Sequence, residues 1–277
     1  MLRCGRIAYT NVLPLYAAVD EGAVAYPGTL YAAVPSRLNA MLLSGELDVS
    51  PISAFEWAKH ASEFVLLPDL CVGARADVVS VVLVSAVPPA LLDGETVYVT
   101  DASATGRNLL RVILERRYGV SPAYATEPHP LERARAGAPV LLIGDAAIDA
   151  VDVVPAAHVY DLGKLWREWT GENTVFAVWA ARRDAYARDP GGVADCMRAL
   201  AEARAWGNAH GDRVVALAQR TIARAPGFYE NYYGKLNFTF DAAAQRGLSA
   251  YCRELSAIGA IDAVPPCTPE HLDAVAR

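Results

Sequence analysis

The chain has little of what metal, hydrolase or membrane chemistry needs. Its five histidines, at 60, 129, 158, 210 and 271, are isolated from one another, and there is no H-E-x-x-H and no G-x-S-x-G. The five cysteines, at 4, 71, 196, 252 and 267, are scattered and form no C-x-x-C. Neither a disulfide framework nor a zinc knuckle is therefore expected, and Cys196 and Cys252 fall in helical patterns where they would pack as small apolar residues. No apolar run reaches the ~18 residues of a membrane span. The start, Met-Leu-Arg-Cys-Gly-Arg, carries no secretory apolar region, so a cytoplasmic location is expected. Basic runs interleaved with aromatics are missing and the net charge is −6, which argues against nucleic acid or an acidic membrane as partner. Internal repeats and low-complexity segments are absent as well.

What is present is a globular composition. The chain has 277 residues, 53% of them hydrophobic and 20% charged, enough for two α/β lobes of ordinary size. Its organisation is clearest between Glu95 and Gly119. Thr96–Val99 reads as a short strand, and 101–106 as a small polar turn. A helix follows from Arg107 with Leu109, Leu110, Ile113 and Leu114 on one face, ended by Gly119. Ser103 is then an N-cap. Ser103, Thr105 and the N–H groups around Gly106 would sit at a helix start, where unpaired donors suit a carboxylate or phosphate. A plain cap with nothing bound satisfies the same pattern.

Similar strand-to-helix joints recur. Residues 6–11 form a strand that runs into a helix with Pro14 in its first turn, placing Tyr9 and Asn11 at a carboxyl strand end, where open α/β sheets bind ligands. Asn11 can equally be a helix cap. Leu30–Val34 is a second strand. Ser36 is expected to cap the next helix and Gly45 to end it, and the return through Leu47-Asp48 to Ser53 makes a parallel βαβ unit. Ser53 ends that strand and opens a helix at 54–60. The run 77–85 is β-rich, with Ser80 inside it and Ser85 at its end; a backbone carbonyl or a ligand would satisfy the Ser80 hydroxyl. The strand 140–143 ends in Gly144-Asp145, with Asp145 either an N-cap or a ligand contact. A short amphipathic helix at 165–169 and a strand at 174–180 follow. Beyond Asp184 helical spacing continues over 193–209, 212–225, 241–259 and 270–276. Phe228, Tyr229, Tyr232, Tyr233, Phe238 and Phe240 cluster between these helices and read as core.

Crossovers near 85–95 and 175–182 imply two lobes. The first is discontinuous, residues 1–86 and 180–277, and the second is 87–179. A ligand would lie in the cleft between them.

These segments together resemble the chorismate dehydratase family, the first enzyme of the futalosine route to menaquinone. The resemblance is carried, in order, by RIAYTNVLP at 6–14, GELD at 45–48, SVVLVS at 80–85, SAT at 103–105 and LLIGD at 141–145. It continues with YDLG at 160–163 leading to WTG at 169–171, then FAVW at 176–179 and GL at 247–248. It implies a type II periplasmic-binding-protein-like fold used as an enzyme in the cytoplasm, with loss of water from chorismate to give 3-[(1-carboxyvinyl)oxy]benzoate. No metal or organic cofactor is implied. The oligomeric state, monomer or homodimer, stays open. Two departures are visible. Gly106 stands where the family commonly has Ser, and Glu172-Asn-Thr-Val precedes Phe176 where a Pro-Phe pair is common.

On this chemistry the helix start at Ser103, Thr105 and Gly106 would hold one substrate carboxylate, and Ser53, Ser80 or Ser85 the other, with Tyr9 and Asp145 at the rim. No histidine, lysine or glutamate in the quoted motifs is placed as a base. A substrate carboxylate is therefore expected to take the proton while Asn11 orients it or the departing hydroxyl, with Asp145 the competing base. The alternatives are 1,4-dihydroxy-6-naphthoate synthase of the same route, which usually opens on a different motif, and a solute-binding protein that holds an anion without chemistry.

Overall fold

A computed structural model describes residues 1–155 and 158–272. Two sheets organise it. The first contains β1 (Arg3–Ile7), β2 (Thr29–Ala33), β3 (Val49–Ser53), β4 (Phe64–Ala74), β10 (Thr174–Arg182) and β11 (Leu236–Thr239), in the order β11-β4-β10-β3-β1-β2. The second contains β5 (Val81–Val84), β6 (Thr96–Val99), β7 (Ala123–Thr126), β8 (Val140–Ile143) and β9 (Val159–Asp161), in the order β7-β6-β8-β5-β9.

In the first sheet β1 pairs in parallel with β2 and β3, as the βαβ pattern requires, with Arg3 opposite Thr29. The helix between β2 and β3, α2 (Pro35–Ser44), ends at Gly45 with φ +81°, a left-handed C-cap that glycine adopts without strain. Its N-cap is Val34 and Pro35 occupies the first turn, so Ser36 lies inside the helix and is not the expected cap. Proline fixes the first-turn φ and needs no donor there, so the helix starts two residues early. β1 and β3 approach so closely that a Cβ on Gly5 would meet Ser50 Oγ at 2.0 Å. β10 runs antiparallel between β3 and β4.

The second sheet is mixed. β6 pairs in parallel with β7 and β8, whereas β5 is antiparallel to β8 and β9. Sheet membership therefore moves both crossings. β5 lies in the second sheet and β10 in the first, so the chain passes between sheets at 75–80 and 171–173, not near 85–95 and 175–182. The run 77–85 is apolar on both faces, which shows burial without showing which sheet receives it. Val81 and Leu83 pack into the large core that spans both sheets, while Val82 and Val84 pack into a smaller one with Leu142 and Ala147.

Helices cover both sheets: α1 (Leu13–Asp20), α3 (Ala54–Lys59), α4 (Ala104–Val112), α5 (Pro130–Arg135), α6 (Gly144–Val153), α7 (Leu162–Thr170) and α8 (Arg183–Arg188). The later chain adds α9 (Pro190–Ala209), α10 (Gly211–Thr221), α11 (Phe228–Lys235) and α12 (Ala242–Ala257). Of the aromatic cluster, Tyr229, Tyr232, Phe238 and Phe240 are buried as expected and Phe228 and Tyr233 are half-buried; Cys196 and Cys252 are buried. The expected helix at 270–276 does not start, because Glu270–Leu272 are non-helical and Glu270 N–H bonds Leu66 O; its remainder lies outside the described residues. Among the described residues no helix is long and apolar enough to cross a membrane.

Candidate active site between the lobes

Three strand ends and two helix starts converge on one cavity between the sheets. Tyr9 and Asn11 follow β1, Ser53 ends β3, Ser80 precedes β5, Ser103 precedes α4, and Gly144 opens α6. The cavity is narrow, about 80 Å³, and Ile7, Ile52, Val81, Ile143, Phe176 and Leu236 complete its walls. None of its lining residues carries a charge.

Each polar group is positioned by an identifiable contact. Ser53 caps α3, its hydroxyl accepting from Glu56 N–H at 3.1 Å, and its own N–H donates to Asn39 Oδ1 at 3.0 Å. Ser103 caps α4, accepting from Gly106 N–H at 3.0 Å. Ser80 Oγ donates to Val78 O at 3.3 Å, and its carbonyl accepts from Gly144 N–H at 2.8 Å. The short turn Thr10–Val12 that carries Asn11 is held by Tyr233, whose hydroxyl donates to Thr10 O at 2.9 Å. Asn11 Oδ1 is buried and has no hydrogen-bond partner in the protein. A buried amide oxygen left in this way is costly, and a donor on a bound molecule would satisfy it. Burial, and then the Asp145 charge, push the Tyr9 phenol above its ordinary pKa, so it stays a neutral donor.

Four expected contacts fall elsewhere. Ser85 is at the far end of β5, roughly 16 Å along the strand from Ser80, and its hydroxyl donates to Val87 O at 2.7 Å. Thr105 is buried, and its hydroxyl donates to Phe176 O at 2.8 Å and accepts from Phe55 N–H at 3.2 Å. Its carbonyl accepts from the Tyr251 hydroxyl at 3.2 Å. Thr105 thus ties the start of α4, in the second lobe, to α3, β10 and α12 of the first. Gly106 spends its N–H on the Ser103 cap. Asp145 lies in the first turn of α6 but turns to Arg224, at 3.2 Å from Nη2, while Arg224 Nη1 bonds Asp149. A small polar motif at a helix start marks the joint; it does not reveal whether a hydroxyl's partner is protein or ligand.

Two site-forming residues escape the sequence analysis. Asn39 is a polar residue among the buried positions of α2, next to Leu38 and Leu42, and that placement is its only signal. Asp161 lies in a quoted motif without an assigned role. Asp48, paired with Arg3 at 2.8 Å and Arg188 at 3.1 Å, serves the β1–β3 joint and not the cavity.

Comparison with known proteins agrees with this architecture. Residues 2–257 match the family described as menaquinone biosynthesis. The chain is 34% identical over 263 residues to the chorismate dehydratase of Thermus thermophilus, covering 89% of this chain and 92% of that protein. Among solved structures, AF1704 from Archaeoglobus fulgidus superposes with a TM-score of 0.73 at 18% identity, covering 94% of this chain and 98% of that one. The periplasmic aliphatic sulphonate binding protein SsuA from Escherichia coli superposes with a TM-score of 0.67 at 14% identity, covering 98% and 93%. At these identities the structures share the fold alone, the two-lobed periplasmic-binding-protein architecture with its cleft between lobes. Family match and sequence identity extend along almost the whole chain, and the protein belongs to the chorismate dehydratase family of menaquinone biosynthesis.

Proposed function

We propose that the protein dehydrates chorismate to 3-[(1-carboxyvinyl)oxy]benzoate, acting as a carbon–oxygen hydro-lyase in the cytoplasm. The observation that carries this is the uncharged inter-lobe cavity in which a buried Asn11 Oδ1 lacks a partner, between the two serine-capped helix starts. The name of the Thermus relative supports the choice of substrate.

Chorismate carries two carboxylates, one on the ring and one on the enolpyruvyl ether. The helices behind Ser53 and Ser103 present ends of the right sign; the N–H groups of Phe55, Glu56 and Gly106 are taken by Thr105 and the two capping serines, so the serine hydroxyls and the remaining first-turn N–H groups would meet the carboxylates. Charge-assisted hydrogen bonds of this kind contribute about 1.5–3 kcal/mol each. Dehydration removes the proton from the ring carbon that bears the ether and expels the hydroxyl from its neighbour. The ring becomes aromatic, so the step is downhill once geometry and proton transfer are supplied.

No lining side chain is an obvious base. Asp145 is engaged by Arg224, so the enolpyruvyl carboxylate, which sits beside the departing proton in the substrate itself, takes it. Asn11 Oδ1 accepts from the ring hydroxyl and fixes its orientation, and the carboxylic acid just formed returns the proton to that oxygen so that it leaves as water, with the Tyr9 phenol as a neighbouring neutral donor. Tyr9, Ser53, Ser80 and Ser103 form the binding wall.

The cavity is smaller than the ~300–1,000 Å³ of ordinary ligand pockets, so chorismate enters with the lobes apart and is enclosed as they close. Enclosure keeps the side chain away from the ring and discourages the competing rearrangement to prephenate. Incubation with chorismate, followed by absorbance and NMR, tests the assignment: the aromatic ether is expected, and binding without turnover would indicate a solute-binding role.

A further inference from the structure

The first crossing between the sheets holds a backbone conformation that its own sequence disfavours. Val79 has φ +67°, a left-handed value that a β-branched residue rarely adopts. Ser80 N–H donates to Val78 O at 2.7 Å, which makes Val79 the middle residue of a tight three-residue turn of the strained kind.

A half-buried carboxylate at the end of β9 in the second sheet holds this turn. Asp161 Oδ2 accepts from Val79 N–H at 2.6 Å and from Val78 N–H at 3.0 Å. Asp161 Oδ1 accepts from Lys164 N–H at 3.0 Å, which caps α7, and lies 3.1 Å from Val78 N. Gly163 completes the seat, since a Cβ there would lie 2.4 Å from Ala76 O and 3.3 Å from Val78 N. Strain of this sort persists only where surrounding contacts impose it, and it concentrates at functional sites. Here the residue after the strained one is Ser80, which lines the cavity, and Ser80 O in turn receives the N–H of Gly144, a second lining residue.

We infer that Asp161 is a positioning residue for the cleft: by holding Val78–Ser80 in the strained turn it sets Ser80 and Gly144 into the wall that meets the substrate. The inference rests on the cavity being the chorismate site. Asp161 does not line that cavity and acts through the backbone it holds.

The experiment compares Asp161→Asn, Val79→Gly and the double variant in steady-state assays with chorismate, together with amide hydrogen exchange over residues 78–80. Asp161→Asn replaces an acceptor by an N–H donor facing the turn amides. It should raise KM by about tenfold or more with a smaller fall in kcat, and speed exchange at 78–80. Glycine reaches φ +67° unaided, so Val79→Gly should stay within about twofold of wild type and should restore most of the KM lost in Asp161→Asn. An unchanged KM and exchange in Asp161→Asn, or a double variant as impaired as Asp161→Asn alone, would overturn the inference. Should Asp161→Asn fail to fold, Gly163→Ala carries the same expectation, because its Cβ displaces Ala76 O and Val78 N, and an unaltered KM there overturns it. Wild-type turnover is scored separately: an inactive wild type removes the chorismate assignment, while the exchange at 78–80 still reports whether Asp161 holds the turn.

Discussion

At the scale of single residues, Asn11 and Asp145 are in opposite situations. Asn11 Oδ1 is buried without a partner, and Asp145 already has one in Arg224. Asn11→Ala should therefore lower kcat by about a hundredfold or more, the cost of removing one oriented polar group from a reacting centre. Asp145→Asn should keep kcat within about tenfold. If Asp145→Asn abolished turnover while chorismate still bound, Asp145 would be the base and the substrate carboxylate would not. Thr105 has a different kind of role, because its hydroxyl satisfies Phe55 N–H and Phe176 O across the lobes. Thr105→Val should destabilise the protein by on the order of 1–3 kcal/mol, read from denaturant unfolding, and Thr105→Ser should recover most of it. Tyr9, Asn11, Ser53 and Ser103 line one cavity because each follows a strand or opens a helix, which the sequence shows, whereas Ser80 stands inside a β-rich run in the sequence and just before β5 in the fold. Ser85, Thr105 and Gly106 look the same in sequence, yet their polar groups meet protein partners that only the folded chain brings near.

Helix caps are the best-read features at the scale of elements, and strand membership is the worst. Ser53 and Ser103 announce their helices through side-chain acceptors followed by amphipathic spacing, and both caps form. β4 is harder to see. It is 11 residues long, but Pro68 and Asp69, the latter at φ +70°, interrupt its alternation with a half-buried and an exposed position. β5 is misplaced because an all-apolar strand suits either sheet. The start of α4 also explains one departure from the family pattern. A Cβ on Gly106 would lie 2.9 Å from Ser103 Oγ and 3.3 Å from Val81 Cγ1. Gly106→Ser would therefore press on the cap, at a cost near that of losing it, about 1 kcal/mol, against a smaller gain in helix propensity. A lower Tm and a higher KM are expected. Unchanged values would mean that Ser103 yields without loss and that this glycine is incidental.

Two sheets joined by two crossings make a molecule whose whole shape serves the cavity. The lobes meet on one side through Thr105 and on the other through Arg224, which reaches from the segment before α11 to Asp145 and Asp149 on α6. Lys235 adds a 2.9 Å pair with Asp77 at the first crossing, holding that carboxyl below the usual carboxylate range. These contacts join the two lobes on either side of the cavity. Arg224→Ala should raise KM by about fivefold, in keeping with the modest worth of partly exposed ion pairs, and should enlarge the radius of gyration in solution scattering without ligand. An unaltered radius and KM would show that closure does not depend on this clamp. The two-lobed plan was legible from alternating strands and helices that return to their starting lobe. The exact crossings were not, since they depend on pairing between strands far apart in the chain. The fold is shared with a sulphonate-binding protein, so chemistry separates the possibilities where shape does not. The decisive measurement is incubation of the purified protein with chorismate while the product is followed by absorbance and identified by NMR. Catalytic appearance of 3-[(1-carboxyvinyl)oxy]benzoate, lost in Asn11→Ala, is the result expected. Stoichiometric binding of chorismate with no new aromatic product would contradict it.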